Sequence, residues 1–525
     1  MTTRPCGLLM LSFDGTEAPP EVLSTIAGHD GPGVTLFRHR NYRDATQVTE
    51  LTTTLQASRR VDDPLLIATD QETGQFMAIG EPATAFAGNM ALGAAADPEL
   101  TRRVGKAIGT EMRALGVNVD YAPVADVNTN PANPALGIRS FGDDPVAVAR
   151  HVAATVNGLQ SVGVAATMKH FPGKGDAHTD SHHALPVLGH DRHRLEAVEL
   201  VPFKAAIAAG VKLAMTGHFA LPAVTGSDEL PGTLAHEVLT TLLRDELSFE
   251  GVVITDALDM KALTQGTAQI IDVVAAVRAG VDLLLLTAES GMQERITTGL
   301  QLALSRRLID PAMLERSRER ITDLRAWVGR FPNPPLEVVG CKAHRDLAKE
   351  VAERSITVVR DSDSLLPLRS GHGAILVVQP EPTDLTLADT SSFETPSLAD
   401  ALRRHHRNID DMVVSHRPDA AAIAAVAERA ARADVAVVGT VAASLEPAQA
   451  DLANAVLATG IPTVTIAMRT PYDLGAYPQS GTHLATYSIS RPSLEVAADV
   501  MFGTLLAAGK LPVGIAGLYE RGHGV

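Results

Sequence analysis

Four short stretches of the chain concentrate side chains able to move protons or hold polar groups. The densest runs Lys169-His170-Phe171-Pro172-Gly173-Lys174-Gly175-Asp176 and on to Asp180-Ser181-His182. Its glycines and proline favour a tight turn. Asp and His two residues apart on such a turn lie within hydrogen-bond reach. The carboxylate then fixes the imidazole tautomer and raises its basicity, so the free ring nitrogen handles a proton near neutral pH. In the second stretch, Gly251 to Asp256, a wholly apolar run ends in a carboxylate, which is costly there unless hydrogen-bonded or functional. Such a group serves as a nucleophile toward an electrophilic carbon or as a metal ligand, and the metal option lacks a second acid at suitable spacing. Asp259, three residues on, is expected to cap the next helix. Third, Asp70-Gln71-Glu72 offers acceptors for ligand hydroxyls. Fourth, Gly137-Ile138-Arg139-Ser140-Phe141-Gly142 carries an arginine suited either to clamping a hydroxyl or amide oxygen or to a surface salt bridge.

These stretches need elements to position them. Short apolar runs of the kind that form buried parallel strands occur at 7–13, 33–37, 65–70, 117–123, 164–170, 213–218, 252–256 and 281–286, with helical segments between. Eight such units predict a (β/α)8 TIM-type barrel. A doubly wound sheet is the competing arrangement, but the Gly-rich phosphate turn expected after an early strand is absent. Asp14, Asp70, Asp126, Lys169 with His170, His218 and Asp256 all fall at the C-terminal ends of these runs, the face where barrels place chemistry.

Phe331-Pro332-Asn333-Pro334-Pro335 breaks the pattern. It sets the expected division into a barrel domain at 1–335 and a second α/β domain at 345–525. Apolar runs at 375–378, 435–438 and 463–468 alternate there with Ala-rich helices, and no polar constellation stands out. This half reads as a packing or homo-oligomerising unit. Across 525 residues, 45% hydrophobic and 20% charged, the composition is that of a globular protein, not a disordered or fibrous one. A net charge of −16 without a basic run disfavours nucleic acid and anionic membrane surfaces. No apolar run reaches membrane-spanning length, and the N-terminus makes a poor secretion signal. Cys6 and Cys341 lack metal or disulfide spacing and read as small buried hydrophobes. The expected setting is cytoplasmic.

At these residues the chain resembles the glycoside hydrolase family 3 β-N-acetylglucosaminidases. KHFPGKGDAHTDSH at 169–182 is similar to the family's KHFPGxGDxxxDSH, and ITDALDM at 254–260 to its nucleophile motif. DQETGQ at 70–75, Asn133-Pro134 with GIRSFG at 137–142, and FDGT at 13–16 match further phrases in the same order. SLLPL at 364–368, RTPYDL at 469–474 and GKLPV at 509–513 resemble those of the family's α/β-sandwich C-terminal domain. The resemblance implies Asp256 as nucleophile and His182 as general acid/base with Asp180 as its partner. It implies Asp70, Arg139, Lys169 and His170 as binders of the sugar in the −1 subsite, a small carbohydrate substrate, and no metal or organic cofactor. The implied reaction releases terminal non-reducing β-linked N-acetylglucosamine from muropeptide or chitin fragments. A phosphorylase on the same scaffold, a β-glucosidase and a non-catalytic glycan-binding protein are the alternatives. Three positions depart from the pattern: Thr73 stands for a glycine, and Gln75 and Ala78 for arginines. Lys174, where histidine is frequent, is expected to be neutral in effect, and His178 and His183 are expected to be solvated or to lie behind the site.

Overall fold

The structure is a computed structural model that describes residues 5–27, 33–59, 63–289, 291–369 and 373–525. Each of the eight apolar runs contains a strand: β1 (Leu9–Leu11), β2 (Gly33–Thr35), β3 (Ile67–Thr69), then, past the hairpin β4 (Gln71–Thr73) and β5 (Phe76–Met77), β6 (Val119–Asp120), β7 (Ala165–Phe171), β8 (Leu213–Thr216), β9 (Val252–Thr255) and β10 (Leu284–Leu285). They pair in parallel in the order β10-β1-β2-β3-β6-β7-β8-β9, and a parallel bridge between Ile254 and Leu283 brings the last pair together, nearly closing the barrel. Every residue of these eight strands is buried, which is why the strands read as continuous apolar runs. β7, the longest, carries Lys169 and His170 where its register with β8 shifts, between Met168 and Phe171. Irregularities of this kind re-aim side chains beside functional sites.

The outer helices start from a repeated device. Asp97, Asp144 and Asp310 each precede a proline at the first helical turn, and each carboxylate accepts a backbone N–H of that turn, opening the helices Pro98–Ala114, Pro145–Gln160 and Pro311–Val328.

The second half forms its own sheet from β11 (Thr357–Asp361), β12 (Ile375–Pro380), β13 (Ile409–Val414), β14 (Val435–Thr440), β15 (Thr463–Ala467) and β16 (Thr482–Ala485), ordered β11-β16-β15-β14-β12-β13. All neighbours are parallel except β11 with β16. Alternate residues of β14 enter different cores: Val435 and Val437 pack with Leu398 and Leu494, Ala436 and Val438 with Val426 and Val456. Strand alternation thus makes this domain a sheet between two helical layers. Cys341 is partly buried, and the Cys6 side chain lies outside the described residues. Among the described residues no helix is long and apolar enough to cross a membrane.

The two halves are joined at the hairpin β4–β5. Thr390 donates its backbone N–H and its Oγ1 to the Gln75 carbonyl at 2.8 and 3.0 Å, and Gln75 Nε2 reaches Ser391 Oγ at 3.0 Å. Beside them Arg469 pairs with Asp389 at 2.6 Å, both buried, and its guanidinium lies over the Phe76 ring.

Candidate active site

A cavity of about 300 Å³ opens at the C-terminal mouth of the barrel, lined by Asp70, Arg139, Lys169, His170, Lys174, His182 and Asp256 among others. Six of the seven residues the sequence singled out therefore face one space, and the seventh, Asp180, stands directly behind His182. The volume falls at the small end for a ligand site. Two other cavities, about 320 Å³ beneath the barrel near Trp327 and about 720 Å³ between the domains near Glu81, contain none of these groups.

Asp256 follows β9 directly, with its backbone N–H held by the Thr216 carbonyl at 3.1 Å. Its Oδ1 accepts the Ala257 N–H at 2.8 Å, and its Oδ2 lies 4.0 Å from His170 Nε2. Burial pushes this carboxyl up, but the positive fields of Lys174, His218 and His182 outweigh it and hold the group below its ordinary value. His182 makes a 2.7 Å contact through Nδ1 with Asp180 Oδ1, which also accepts the His182 backbone N–H at 3.0 Å. Against the upward push of burial, the His182 hydrogen bonds draw the Asp180 carboxyl well below the carboxylate range. Nε2, the other ring nitrogen, is left for the cavity. A hydrogen bond from Ala262 N–H to the Ser181 carbonyl, 3.2 Å, ties the loop bearing this pair to the loop that follows Asp256.

Behind them lies a second imidazole–carboxylate pair, His170 Nδ1 with Asp126 Oδ2 at 2.8 Å. Burial holds His170 well below the usual histidine range, with Lys174 and Arg139 adding to the effect, so its ring is neutral and its Nδ1 donates. Asp126 also accepts the Lys174 N–H at 2.9 Å. It is the residue behind this part of the site that sequence reading placed at a strand end without a task.

On the opposite side, Lys169 Nζ bridges Asp70 at 2.6 Å and Glu72 at 2.5 Å, and Arg139 grips Glu72 through Nε and Nη2 at 2.8 and 2.6 Å. Although burial raises the Glu72 carboxyl, Arg139 and Lys169 bring it down to about 2. This corrects two expectations. Glu72 is not an open acceptor, because both oxygens are taken and it does not line the cavity. Arg139 forms no surface salt bridge but a buried one, and its Nη1 donates to the Ala135 carbonyl. Asp259 caps no helix. It sits in a turn at the cavity rim, and the following helix, Gln269–Ala279, begins at Ala268 without a side-chain cap.

The second domain contributes Leu387, Ala388 and Thr390 to the lining, so it does more than pack. No local motif in the sequence announced this, since the contact spans some 300 residues of chain. Among the described residues no group of three or more His, Cys, Asp or Glu side chains is placed to hold a metal ion.

A carboxylate facing an imidazole–carboxylate pair across a small cavity rich in fixed hydrogen-bonding groups, at the mouth of a barrel with a docked sheet domain, defines a glycoside hydrolase. The chain belongs to glycosyl hydrolase family 3: the profile of the family's N-terminal domain matches residues 9–324 and that of its C-terminal domain residues 356–520. It is similar to beta-hexosaminidase A of Pseudoalteromonas piscicida, 31% identical over 95% of this chain and 91% of that protein. It is also similar to a beta-N-acetylglucosaminidase/beta-glucosidase of Cellulomonas fimi, 35% identical over 68% of this chain and 64% of that protein. Among solved structures, a glycoside hydrolase family 3 beta-N-acetylglucosaminidase from Paenibacillus sp. superposes with a TM-score of 0.91, at 34% identity, covering 97% of this chain and 98% of that one.

Proposed function

We propose that the protein is a retaining β-N-acetylglucosaminidase that releases terminal non-reducing N-acetylglucosamine from glycosides such as muropeptide or chitin fragments. Asp256 attacks the anomeric carbon while His182, protonated on Nε2, gives its proton to the departing glycosidic oxygen. The glycosyl–aspartate ester is then cleaved by water, whose proton returns to His182, and configuration at the anomeric carbon is retained. Asp180 stabilises the imidazolium and fixes its orientation. Asp70, Lys169, Arg139 and His170 bind or support the sugar. The single observation that carries this reading is that Asp256 and His182, the latter backed by Asp180, border the same cavity. The name of the Paenibacillus relative supports the choice of sugar, and that of the Pseudoalteromonas relative supports a hexosamine.

The test is turnover of an aryl β-N-acetylglucosaminide by Asp256→Ala. We expect a loss of at least about a thousandfold with the fold intact, as for removal of a nucleophile elsewhere. Undiminished turnover overturns the assignment. The assay is run with and without phosphate, because a histidine in place of a second carboxylate leaves less negative charge to repel a phosphate acceptor. Sugar 1-phosphate as the product identifies phosphorolysis, and free sugar in both arms identifies hydrolysis.

A further inference from the structure

Lys174 is a buried cation to which the mechanism assigns no contact with the sugar. It is 5% exposed and lines the cavity with Asp256 and His182. Its backbone is pinned on both sides: its N–H donates to Asp126, and its carbonyl accepts Asn133 Nδ2 at 2.9 Å and Ala177 N–H at 3.1 Å. The side chain therefore has a fixed origin. The other cations of the site have their acceptors inside the protein, Lys169 in Asp70 and Glu72, Arg139 in Glu72 and the Ala135 carbonyl. Lys174 Nζ, by contrast, has no ion pair or hydrogen bond with any described residue, although Asp256, Asp126 and Asp180 are close enough to act on it through space. An ammonium has three donors and no acceptor, and burying them without partners is costly. Because Lys174 lines the cavity, an acceptor on a bound ligand can satisfy it there.

Resting on the N-acetylglucosaminidase reading, we infer that Lys174 is a specificity-determining residue whose ammonium donates to the carbonyl oxygen of the sugar's 2-acetamido group. Asp256 attacks C1, and the substituent on C2 is the sugar group next to that carbon. Of the substituents found there, an amide carbonyl is a pure acceptor, whereas a hydroxyl must also place its own proton, which an ammonium cannot take. The lysine thus favours the acetamido sugar over its 2-hydroxy counterpart by a charge-assisted bond in a dry pocket.

The experiment compares wild type, Lys174→Met and Lys174→Gln on an aryl β-N-acetylglucosaminide and an aryl β-glucoside with the same leaving group. A second arm measures N-acetylglucosamine and glucose binding by calorimetry. Lys174→Met is expected to lose about ten- to a hundredfold in kcat/KM on the acetamido substrate, chiefly through KM, and only a few-fold on the glucoside. The Lys174→Gln variant, which keeps a donor, recovers part of the loss. In calorimetry the wild-type preference for N-acetylglucosamine collapses in Lys174→Met. Equal losses on both substrates, or a preference that survives the substitution, overturn the inference. Wild-type protein that cleaves neither glycoside overturns the glycosidase reading instead, and the calorimetric arm still decides the role of Lys174.

Discussion

Asp180 shows how much one side chain has to do. It contacts the His182 ring and accepts its backbone N–H, and in the proposed mechanism it also fixes which nitrogen carries the proton and meets the imidazolium with a negative charge. Asp180→Asn keeps the shape and removes the charge, so proton delivery suffers more than nucleophilic attack. We expect kcat/KM to fall by about a hundredfold or more for substrates with poor leaving groups, and by far less for activated aryl glycosides. Equal losses on both would place Asp180 outside proton transfer. The same residue has a pH signature. Its carboxyl is held below the unfolded value of about 3.9, so the pair stabilises the folded state above that value and the contribution fades as pH falls toward the lower folded pKa. Thermal melts of wild type and Asp180→Asn should therefore differ at pH 6, with the gap starting to close only below about pH 4. At this scale the sequence was informative where a polar residue ended an apolar run, as at Asp70, Lys169, His170 and Asp256. It said little about Glu72 and Lys174, whose roles depend on which neighbours already occupy them: Glu72 is spent on two cations and Lys174 on none.

Among elements, the loop joining β7 to His182 depends on close backbone approach. Gly173 has φ +118°, in the left-handed region, and a Cβ at Gly175 would lie 1.7 Å from the Val127 carbonyl oxygen. Gly175→Ala must displace either this loop or the segment carrying Asp126, and with it His182. A shift of about 1 Å at a reacting group costs on the order of a hundredfold. We expect that loss in kcat with a near-native far-ultraviolet circular dichroism spectrum. Full activity would show that the loop tolerates the displacement. Element type was legible for the barrel because parallel strands buried on both faces leave unbroken apolar runs. It failed for β13, Ile409–Val414, an edge strand with Asp410 and Asp411 inside it, whose partly exposed pattern lacks such a run. The hairpin β4–β5 carries a different signature. Thr73 takes φ +85°, at the position where the family pattern it resembles has glycine, so the turn holds a side chain in a conformation that disfavours one.

For the whole molecule, the decisive contact is between domains. Asp389 accepts from Arg469 and also from the N–H groups of Ser391 and Leu385, fixing the segment that presents Leu387, Ala388 and Thr390 to the cavity. Arg469→Ala leaves Asp389 a buried carboxylate without its cation, which costs roughly 3–5 kcal/mol when such pairs are broken. We expect a lower melting temperature by calorimetry and a higher KM with kcat less affected. A melting loss with unchanged KM would mean that this wall does not touch the sugar. The sequence could not reveal the arrangement, because Gln75 and Thr390 lie 315 residues apart and no local pattern links them. The same residues explain one departure from the family pattern, since Gln75 spends its side chain and its carbonyl on Ser391 and Thr390.

A pocket whose lining is shared by two folding units links occupancy to docking. A sugar that touches both sides is worth more to the assembled protein than to either half, and by the reciprocity of linkage whatever pries the halves apart must also expel the sugar. The enzyme would then fall silent on warming before its barrel melts, and saturating product would delay that silence, acting as glue between parts that only a single strand of chain and their non-covalent contacts hold together.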